Sequence, residues 1–153
     1  PAELAEEPLR AWAAEVGRAA VEAGLFVCLH GPLGAGKSTF VRAACRGAGV
    51  EGAIPSPTFT LVNRYTTSQG RRIWHADLYR LDSPDLLVDV GWPELVEGGE
   101  AVFVEWAERA GGWLPSDRWE VRLSFGATSE LRTVEIRSIG SAPEPPGPES
   151  GPC

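Results

Sequence analysis

Two hydrophobic periodicities along the chain predict an alternation of helices and buried strands. Residues 9–23 carry apolar side chains at helical spacing, which predicts an amphipathic helix with Pro8 in its first turn. Residues 25–30 form a short continuous apolar run, which is typical of a strand buried on both faces. A glycine-rich loop follows, and a second helix is predicted from about residue 37 to residue 46. This order of elements indicates an α/β fold.

The rest of the chain predicts further strands and a proline-rich tail. A second buried strand is predicted over 101–105, and alternating segments over 119–125 and 131–136 predict a C-terminal β-hairpin. The elements between are an extended segment over 56–65, a turn at 68–70 leading into 71–79, and helical turns at 84–90 and 93–96. Residues 141–153 consist mainly of Pro, Gly, Ser and Glu, a composition typical of disorder. We therefore expect one domain over 1–140 and a disordered tail over 141–153.

Composition and charge narrow the class of protein. The chain has 153 residues, 43% of them hydrophobic and 23% charged, which suits one globular domain. No apolar run reaches the roughly 18 residues of a membrane span, and the acidic start does not resemble a signal peptide. Three cysteines without a CxxC pair favour a reducing cytoplasm and no zinc site.

The net charge of −7 argues against autonomous binding to nucleic acid, because phosphate neutralisation needs clustered basic side chains. Between residues 77 and 108, nine acidic residues stand against one basic residue, Arg80. This acidic stretch is either a solvated face, or a source of metal ligands together with a surface for a basic partner.

Residues 31–38 match the phosphate-binding pattern G-x-x-x-x-G-K-[ST]. Glycines let backbone N–H groups turn inward around phosphate oxygens, and the helix that follows presents its N-terminus to the same anion. Lys37 supplies a compact charge for the β- and γ-phosphates, and Ser38 supplies a hydroxyl for Mg²⁺. The positions of the pattern expected to bind the nucleotide are Gly31, Gly34, Ala35, Gly36, Lys37 and Ser38.

Lys37 is the only lysine in the chain, and the other 13 basic residues are arginines. An isolated lysine in a chain that otherwise uses arginine indicates that local chemistry requires it there. Its uniqueness also excludes the guanine-specific GTPases, which need a second lysine in an N-K-x-D motif. ATP is therefore the expected nucleotide.

Two carboxylates at predicted strand ends are candidates for handling Mg²⁺, because phosphoryl-transfer sites hold the metal with an acid of a neighbouring strand. Glu105 ends the buried run over 101–105, and Asp77 ends a less uniform strand. Thr58 lies about twenty residues after the loop and is either a γ-phosphate sensor or part of a turn. Trp106 is expected near the nucleotide, whereas the role of His75 stays open.

Four segments of the chain together resemble the TsaE family of bacterial ATPases, which are required for threonylcarbamoyladenosine modification of tRNA. The four segments are Gly-Pro-Leu-Gly-Ala-Gly-Lys-Ser-Thr-Phe (31–40), Ser-Pro-Thr-Phe-Thr-Leu-Val-Asn-Arg-Tyr (56–65), His-Ala-Asp-Leu-Tyr-Arg-Leu (75–81) and Val-Glu-Trp-Ala-Glu-Arg (104–109). The resemblance covers about residues 9–137. It implies a single P-loop NTPase domain with a mixed, mostly parallel sheet flanked by helices.

The resemblance also implies roles, cofactors and partners. Lys37 and Thr39 would bind phosphate, Ser38 and Glu105 would handle Mg²⁺, Thr58 would belong to a switch segment, and Asp77 would assist ATP hydrolysis. The implied partners are the threonylcarbamoyl-transferase subunit and its paralogous companion, with tRNA reached indirectly through them. Two positions depart from the family pattern: Pro32 replaces a commonly acidic residue, and Arg64 replaces a frequent glutamate.

Two other classes of function compete with a regulatory ATPase. A small-molecule kinase of the P-loop class shares the loop and the chain length, but it needs an arginine-bearing lid for which the C-terminal third leaves little chain. A nucleotide-binding scaffold that never hydrolyses ATP is the third hypothesis.

Overall fold

Residues 1–55 and 61–148 are described by a computed structural model. Within these two stretches the chain forms seven strands, three α-helices and two 3₁₀ helices. The strands are β1 (Ala2–Leu4), β2 (Phe26–His30), β3 (Val62–Thr66), β4 (Arg72–Asp77), β5 (Ala101–Glu105), β6 (Arg118–Phe125) and β7 (Arg132–Ile139). The α-helices are α1 (Glu6–Ala23), α2 (Lys37–Gly47) and α3 (Trp92–Glu97), and the 3₁₀ helices are Pro84–Val90 and Ala107–Trp113.

The strands form one sheet in the order β1-β7-β6-β2-β5-β4-β3. The strand β2 pairs in parallel with both β5 and β6, and β5 pairs in parallel with β4. Antiparallel pairing joins β3 to β4, β6 to β7 and β1 to β7, so β1, β2, β4, β5 and β6 run in one direction. The predicted mixed, mostly parallel sheet with a C-terminal hairpin is confirmed.

Apolar cores cover both faces of the sheet, as a mostly parallel sheet requires. Because side chains alternate along a strand, Val27 and Leu29 of β2 contribute to the core beneath α1 and α2. Phe26 and Cys28 contribute to a second core, which the 3₁₀ helices and α3 cover on the opposite face. The predicted buried strand is thus confirmed by burial on both sides.

The helices α1 and α2 pack closely because small residues line their contact. A Cβ on Gly17 would lie 2.0 Å from the carbonyl oxygen of Ala44, and one on Gly47 would lie 2.4 Å from that of Ala14. The two backbones therefore approach at a distance that only glycine allows at these two points. The contact fixes α2, and with it the loop that precedes α2, against the rest of the domain.

Residues 141–148, the beginning of the tail for which the sequence predicts disorder, contact the rest of the domain. This segment has no helix or strand, but the indole N–H of Trp119 donates to the carbonyl of Pro143 at 2.8 Å. The indole N–H of Trp12 donates to the carbonyl of Pro146 at 2.9 Å. Two buried donors that need acceptors thus hold a segment that has no hydrophobic pattern of its own. Residues 149–153 lie outside the described residues.

Two described elements were not predicted from the sequence. The strand β1 has three residues and pairs with β7, and the second 3₁₀ helix follows β5 directly. In the part of the chain that the structure describes, no helix is both long enough and apolar enough to cross a membrane.

Candidate functional site

The glycine-rich loop joins the carboxyl end of β2 to the first residue of α2. Gly31, Gly34 and Gly36 all have positive φ, at 148°, 85° and 106°. A Cβ on Gly31 would lie 2.1 Å from the carbonyl oxygen of Leu123, so only glycine fits at the start of the loop. The first turn of α2 has backbone N–H groups without acceptors inside the helix, and it faces the same space. The local structure therefore supplies the donors that an anion needs at this edge of the sheet.

Lys37, the first residue of α2, folds back over the loop. The residue is only 5% exposed, and Nζ donates to the carbonyls of Gly31 and Pro32, the latter at 3.1 Å. Nζ also lies 4.2 Å from the ring centroid of Trp106. Burial lowers the pKa of Lys37 from its usual value, although the nearby carboxylates, Glu105 first among them, act in the opposite direction. The ammonium group is thus held between backbone carbonyls and an indole face.

Glu105 and Ser38 meet beside this lysine. The Ser38 hydroxyl donates to Glu105 at 3.0 Å from Oε1 and 3.3 Å from Oε2. Phe103 of β5 belongs to the core beneath α2, and Glu105, two residues later, points to the same side of the sheet. Glu105 is 3% exposed, and Oε2 of its carboxylate lies 2.6 Å from Nε2 of His75. Strand alternation therefore brings a buried carboxylate to the start of α2.

Asp77 lies at the end of β4, directly beside Glu105 in the parallel register of β4 and β5. Its Oδ1 accepts the backbone N–H of Tyr79 at 3.0 Å. Burial raises the pKa of Asp77 above its usual value, the Tyr79 hydrogen bond acts against this rise, and the neighbouring Glu105 adds to it. Two carboxylates with different surroundings thus share one edge of the sheet.

These groups line one cleft of about 280 Å³. The lining residues are Leu33, Gly34, Gly36, Lys37, Ser38, Thr39, Asp77, Tyr79, Glu105 and Trp106. Trp106 has left-handed backbone angles, with φ at 58°, and its ring packs 5.0 Å from that of Tyr79. The cleft offers hydrogen-bond donors for phosphate on the loop side, and carboxylate and hydroxyl oxygens on the sheet side.

The oxygen atoms of this cleft suit Mg²⁺, an ion that proteins usually hold with only a few of their own ligands. Among residues 1–55 and 61–148, no group of three or more His, Cys, Asp or Glu side chains could hold a metal ion. Mg²⁺ commonly takes only one or two protein oxygens and completes its shell with water and substrate phosphates. Ser38 and Glu105 are a donor set of that kind.

Most of the sequence-predicted site residues come together in this cleft. Lys37, Ser38, Thr39, Asp77 and Glu105 line it, as do the expected Trp106, Gly34 and Gly36. Gly31 and Ala35 belong to the loop without lining the cleft, and the carbonyl of Ala35 accepts a hydrogen bond from Arg132. Thr58 lies outside the described residues.

Sequence reasoning missed Tyr79 as a side chain of the site and left the role of His75 open. Tyr79 packs on Trp106, and His75 contacts Glu105. The signal for His75 is its position two residues before Asp77 in a strand, which puts both side chains on one face.

The fold and the cleft define the class of protein: an α/β domain with a glycine-rich loop at the carboxyl edge of a mostly parallel sheet. The sequence model of the family described as "Threonylcarbamoyl adenosine biosynthesis protein TsaE" matches residues 4–134. The chain belongs to this family, which takes part in the biosynthesis of threonylcarbamoyladenosine in tRNA.

Individual relatives agree with the family assignment. The chain is 35% identical over 115 residues to the tRNA threonylcarbamoyladenosine biosynthesis protein TsaE of Haemophilus influenzae, which covers 75% of this chain and 71% of that protein. It is 42% identical over 105 residues to the protein of the same name from Treponema pallidum, covering 68% and 75%. The crystal structure of Bacillus subtilis YdiB superposes with a TM-score of 0.68 at 26% identity and covers 90% of this chain and 86% of that one.

Proposed function

We propose that this protein binds and hydrolyses ATP with Mg²⁺ and thereby supports the threonylcarbamoyladenosine modification of tRNA. The observation that carries the proposal is the contact of Ser38 with Glu105 in the same cleft as Lys37. A loop hydroxyl, a strand-end carboxylate and a loop lysine are the three groups that such a site needs around a nucleoside triphosphate.

Each side chain has a task in the proposed site. The Lys37 ammonium and the amides of the loop and of Thr39 bind the phosphates, and Thr58 belongs to the segment that senses them. Ser38 and Glu105 would hold Mg²⁺, which neutralises charge on the phosphate oxygens. Asp77 orients the attacking water through Oδ2, because its Oδ1 accepts the N–H of Tyr79.

We propose that ATP binding changes the conformation of this protein and thereby its binding to a protein partner. The partner is the threonylcarbamoyl-transferase subunit together with its paralogous companion, and this protein does not itself transfer the threonylcarbamoyl group. We place the contacts with tRNA mainly on the partner. The net charge of −7 supports this assignment, because an acidic protein is poorly suited to binding the tRNA phosphates directly. The proposed location is the cytoplasm, which fits a role in tRNA modification.

The first experiment measures ATP binding and hydrolysis with and without Mg²⁺, in the wild type and in Glu105→Gln. The variant keeps the size of the side chain but removes its charge, so we expect the Mg²⁺ dependence to weaken and hydrolysis to fall by about 100-fold or more. ATP affinity that is the same with and without Mg²⁺ in both proteins would contradict the assignment of the metal site.

The second experiment captures the transferase pair on immobilised protein in the presence of ATP, of ADP and of no nucleotide. A regulatory ATPase predicts association that differs between these states, because a nucleotide shifts an equilibrium only through differential affinity. Equal capture in all three states would contradict the regulatory role.

Stoichiometric formation of a phosphorylated metabolite would favour the kinase hypothesis instead. The fold weighs against a kinase, because β6, β7 and the ordered segment 141–148 leave little of the described C-terminal third for a lid.

A further inference from the structure

We propose that His75 is a positioning residue that fixes the orientation of the Glu105 carboxylate for Mg²⁺. The inference rests on the proposed function, since it concerns the carboxylate assigned there to the metal. Its basis is the contact of 2.6 Å between Nε2 of His75 and Oε2 of Glu105.

The hydrogen-bond geometry determines which nitrogen of the ring carries the facing proton. A carboxylate oxygen can only accept, so Nε2 must donate across a distance of 2.6 Å. A ring protonated only at Nδ1 would set a lone pair of Nε2 against a lone pair of Oε2. We therefore assign the Nε2–H form to His75 on the basis of this hydrogen bond.

The surroundings of His75 distinguish a positioning role from ordinary core packing. The residue is 1% exposed, and its Nδ1 has no hydrogen-bond partner within the described residues. A polar ring kept in the core only for packing is a poor choice, because an apolar side chain of similar size leaves no polar atom unsatisfied. Among the residues that the structure describes, the one polar contact of the ring is with Glu105, so that contact accounts for a histidine at this position.

The contact has a geometric consequence for the carboxylate. The side chain of a glutamate ends in a torsion that rotates freely over a broad range. A bond from His75 to Oε2 restricts that rotation and turns Oε1 toward the Ser38 hydroxyl, which lies 3.0 Å away. The Ser38 hydroxyl and the Glu105 carboxylate, which form the proposed ligand set, are then in place before the metal binds. Residues that hydrogen-bond to metal ligands commonly have this effect.

Three substitutions at position 75 separate the hydrogen bond from the volume of the ring. His75→Gln places an amide N–H near the position of Nε2, whereas His75→Asn reaches only to the position of Nδ1. His75→Leu fills the space with no donor. The measurement is the Mg²⁺ concentration that gives half-maximal binding of a fluorescent ATP analogue, with Mg²⁺-free binding recorded for each variant.

We expect His75→Leu and His75→Asn to need about ten- to hundred-fold more Mg²⁺, the range typical of lost partners behind metal ligands. His75→Gln should stay within about three-fold of the wild type, and Mg²⁺-free binding should stay the same in all of them. A spectroscopic readout on the metal-free protein completes the test: the ¹⁵N signal of Nε2 should be that of a protonated nitrogen and should move in Glu105→Gln.

The matched control is Ile73→Val, because Ile73 is fully buried on the same face of the same strand and belongs to the core beneath α2. It should lower thermal stability without changing the Mg²⁺ requirement. If His75→Leu fails to fold, the comparison of the Gln and Asn variants decides the matter.

Two further outcomes separate this inference from the proposed function. A wild type that responds to Mg²⁺ together with Asn and Gln variants that respond equally would overturn the positioning role and leave the proposed function standing. A wild type that shows no response to Mg²⁺ would overturn both.

Discussion

At the scale of single residues, the site is built from side chains whose burial changes their chemistry. Lys37 is 5% exposed and contacts backbone carbonyls and the ring of Trp106. Asp77 and Glu105 sit side by side on neighbouring strands, but only Glu105 has a histidine against it.

Replacing Lys37 by arginine should weaken ATP binding almost as much as replacing it by alanine, by about 100-fold. The planar guanidinium is larger than the ammonium, and the space between the loop carbonyls and Trp106 is fitted to a single nitrogen. Calorimetric titration with ATP and Mg²⁺ measures the effect. The control is Arg46→Lys, an equally conservative exchange on the same helix at a side chain that donates to the carbonyl of Val50. Wild-type affinity in Lys37→Arg would refute the argument from compact charge.

Asp77→Asn should raise the melting temperature at pH 7 while it lowers ATP hydrolysis. Burial raises the folded-state pKa of Asp77, so the carboxyl group favours folding most when it is protonated. This contribution is fully present below the unfolded value of about 3.8 and is lost as the pH rises through the higher folded-state pKa. Asparagine does not ionise, so the variant does not lose stability in this way as the pH rises. Thermal melts from pH 4 to pH 8 should show the gap between the two proteins closing as the pH falls, and a constant gap would be inconsistent with this origin.

At the scale of elements, the described segment over 141–148 acts as a strap across α1 and the start of β6. Its carbonyl groups accept the indole N–H groups of Trp12 and Trp119, both nearly fully buried. A chain segment without regular secondary structure thus satisfies two donors that the core would otherwise leave unpaired.

Removing residues 141–153 should lower the free energy of unfolding by about 1–3 kcal/mol, because both indole donors lose their acceptors. Urea unfolding followed by tryptophan fluorescence measures the change. The control is a chain that ends at residue 148, which keeps both acceptors and should unfold as the full chain does. Equal stability of the two truncated chains would show that the strap contributes nothing.

The elements also show how far sequence reasoning extends. The strands β2 and β5 and the loop between β2 and α2 were predicted correctly, because an unbroken apolar run and a spaced glycine pattern are local signals. The strand β1 has only three residues and depends on its pairing with β7, which no local pattern reveals. The contact of His75 with Glu105 was missed for a related reason, since it depends on the register between β4 and β5. The strap was missed because its binding comes from donors on other elements.

Across the domain, net charge and sheet topology determine which macromolecules it can bind directly and where its cleft lies. The net charge of −7 opposes association with a polyanion, and the acidic residues are concentrated between 77 and 108. The cleft lies at the carboxyl edge of β2, β4 and β5, where loops from separate parts of the chain meet.

The isolated protein should show no binding to tRNA at about 150 mM salt, because its net charge of −7 opposes association with a polyanion. Fluorescence anisotropy of labelled tRNA measures this. When the transferase pair is added, the pair should bind the tRNA. Association of this protein with that complex should depend on the nucleotide. Micromolar affinity of the isolated protein for tRNA would contradict the indirect role.

The central position of β2 has a consequence for how the protein is made. Both neighbours of β2 lie far along the chain, since β5 begins at Ala101 and β6 at Arg118. During synthesis the apolar run Phe26–His30 therefore has no partner strand to pair with until most of the domain has left the ribosome. Long-range pairing of this kind slows folding and leaves the strand that carries the glycine loop open to aggregation in the meantime. We expect the yield of correctly folded protein to depend on chaperones and on the rate of translation more than on the stability of the finished domain.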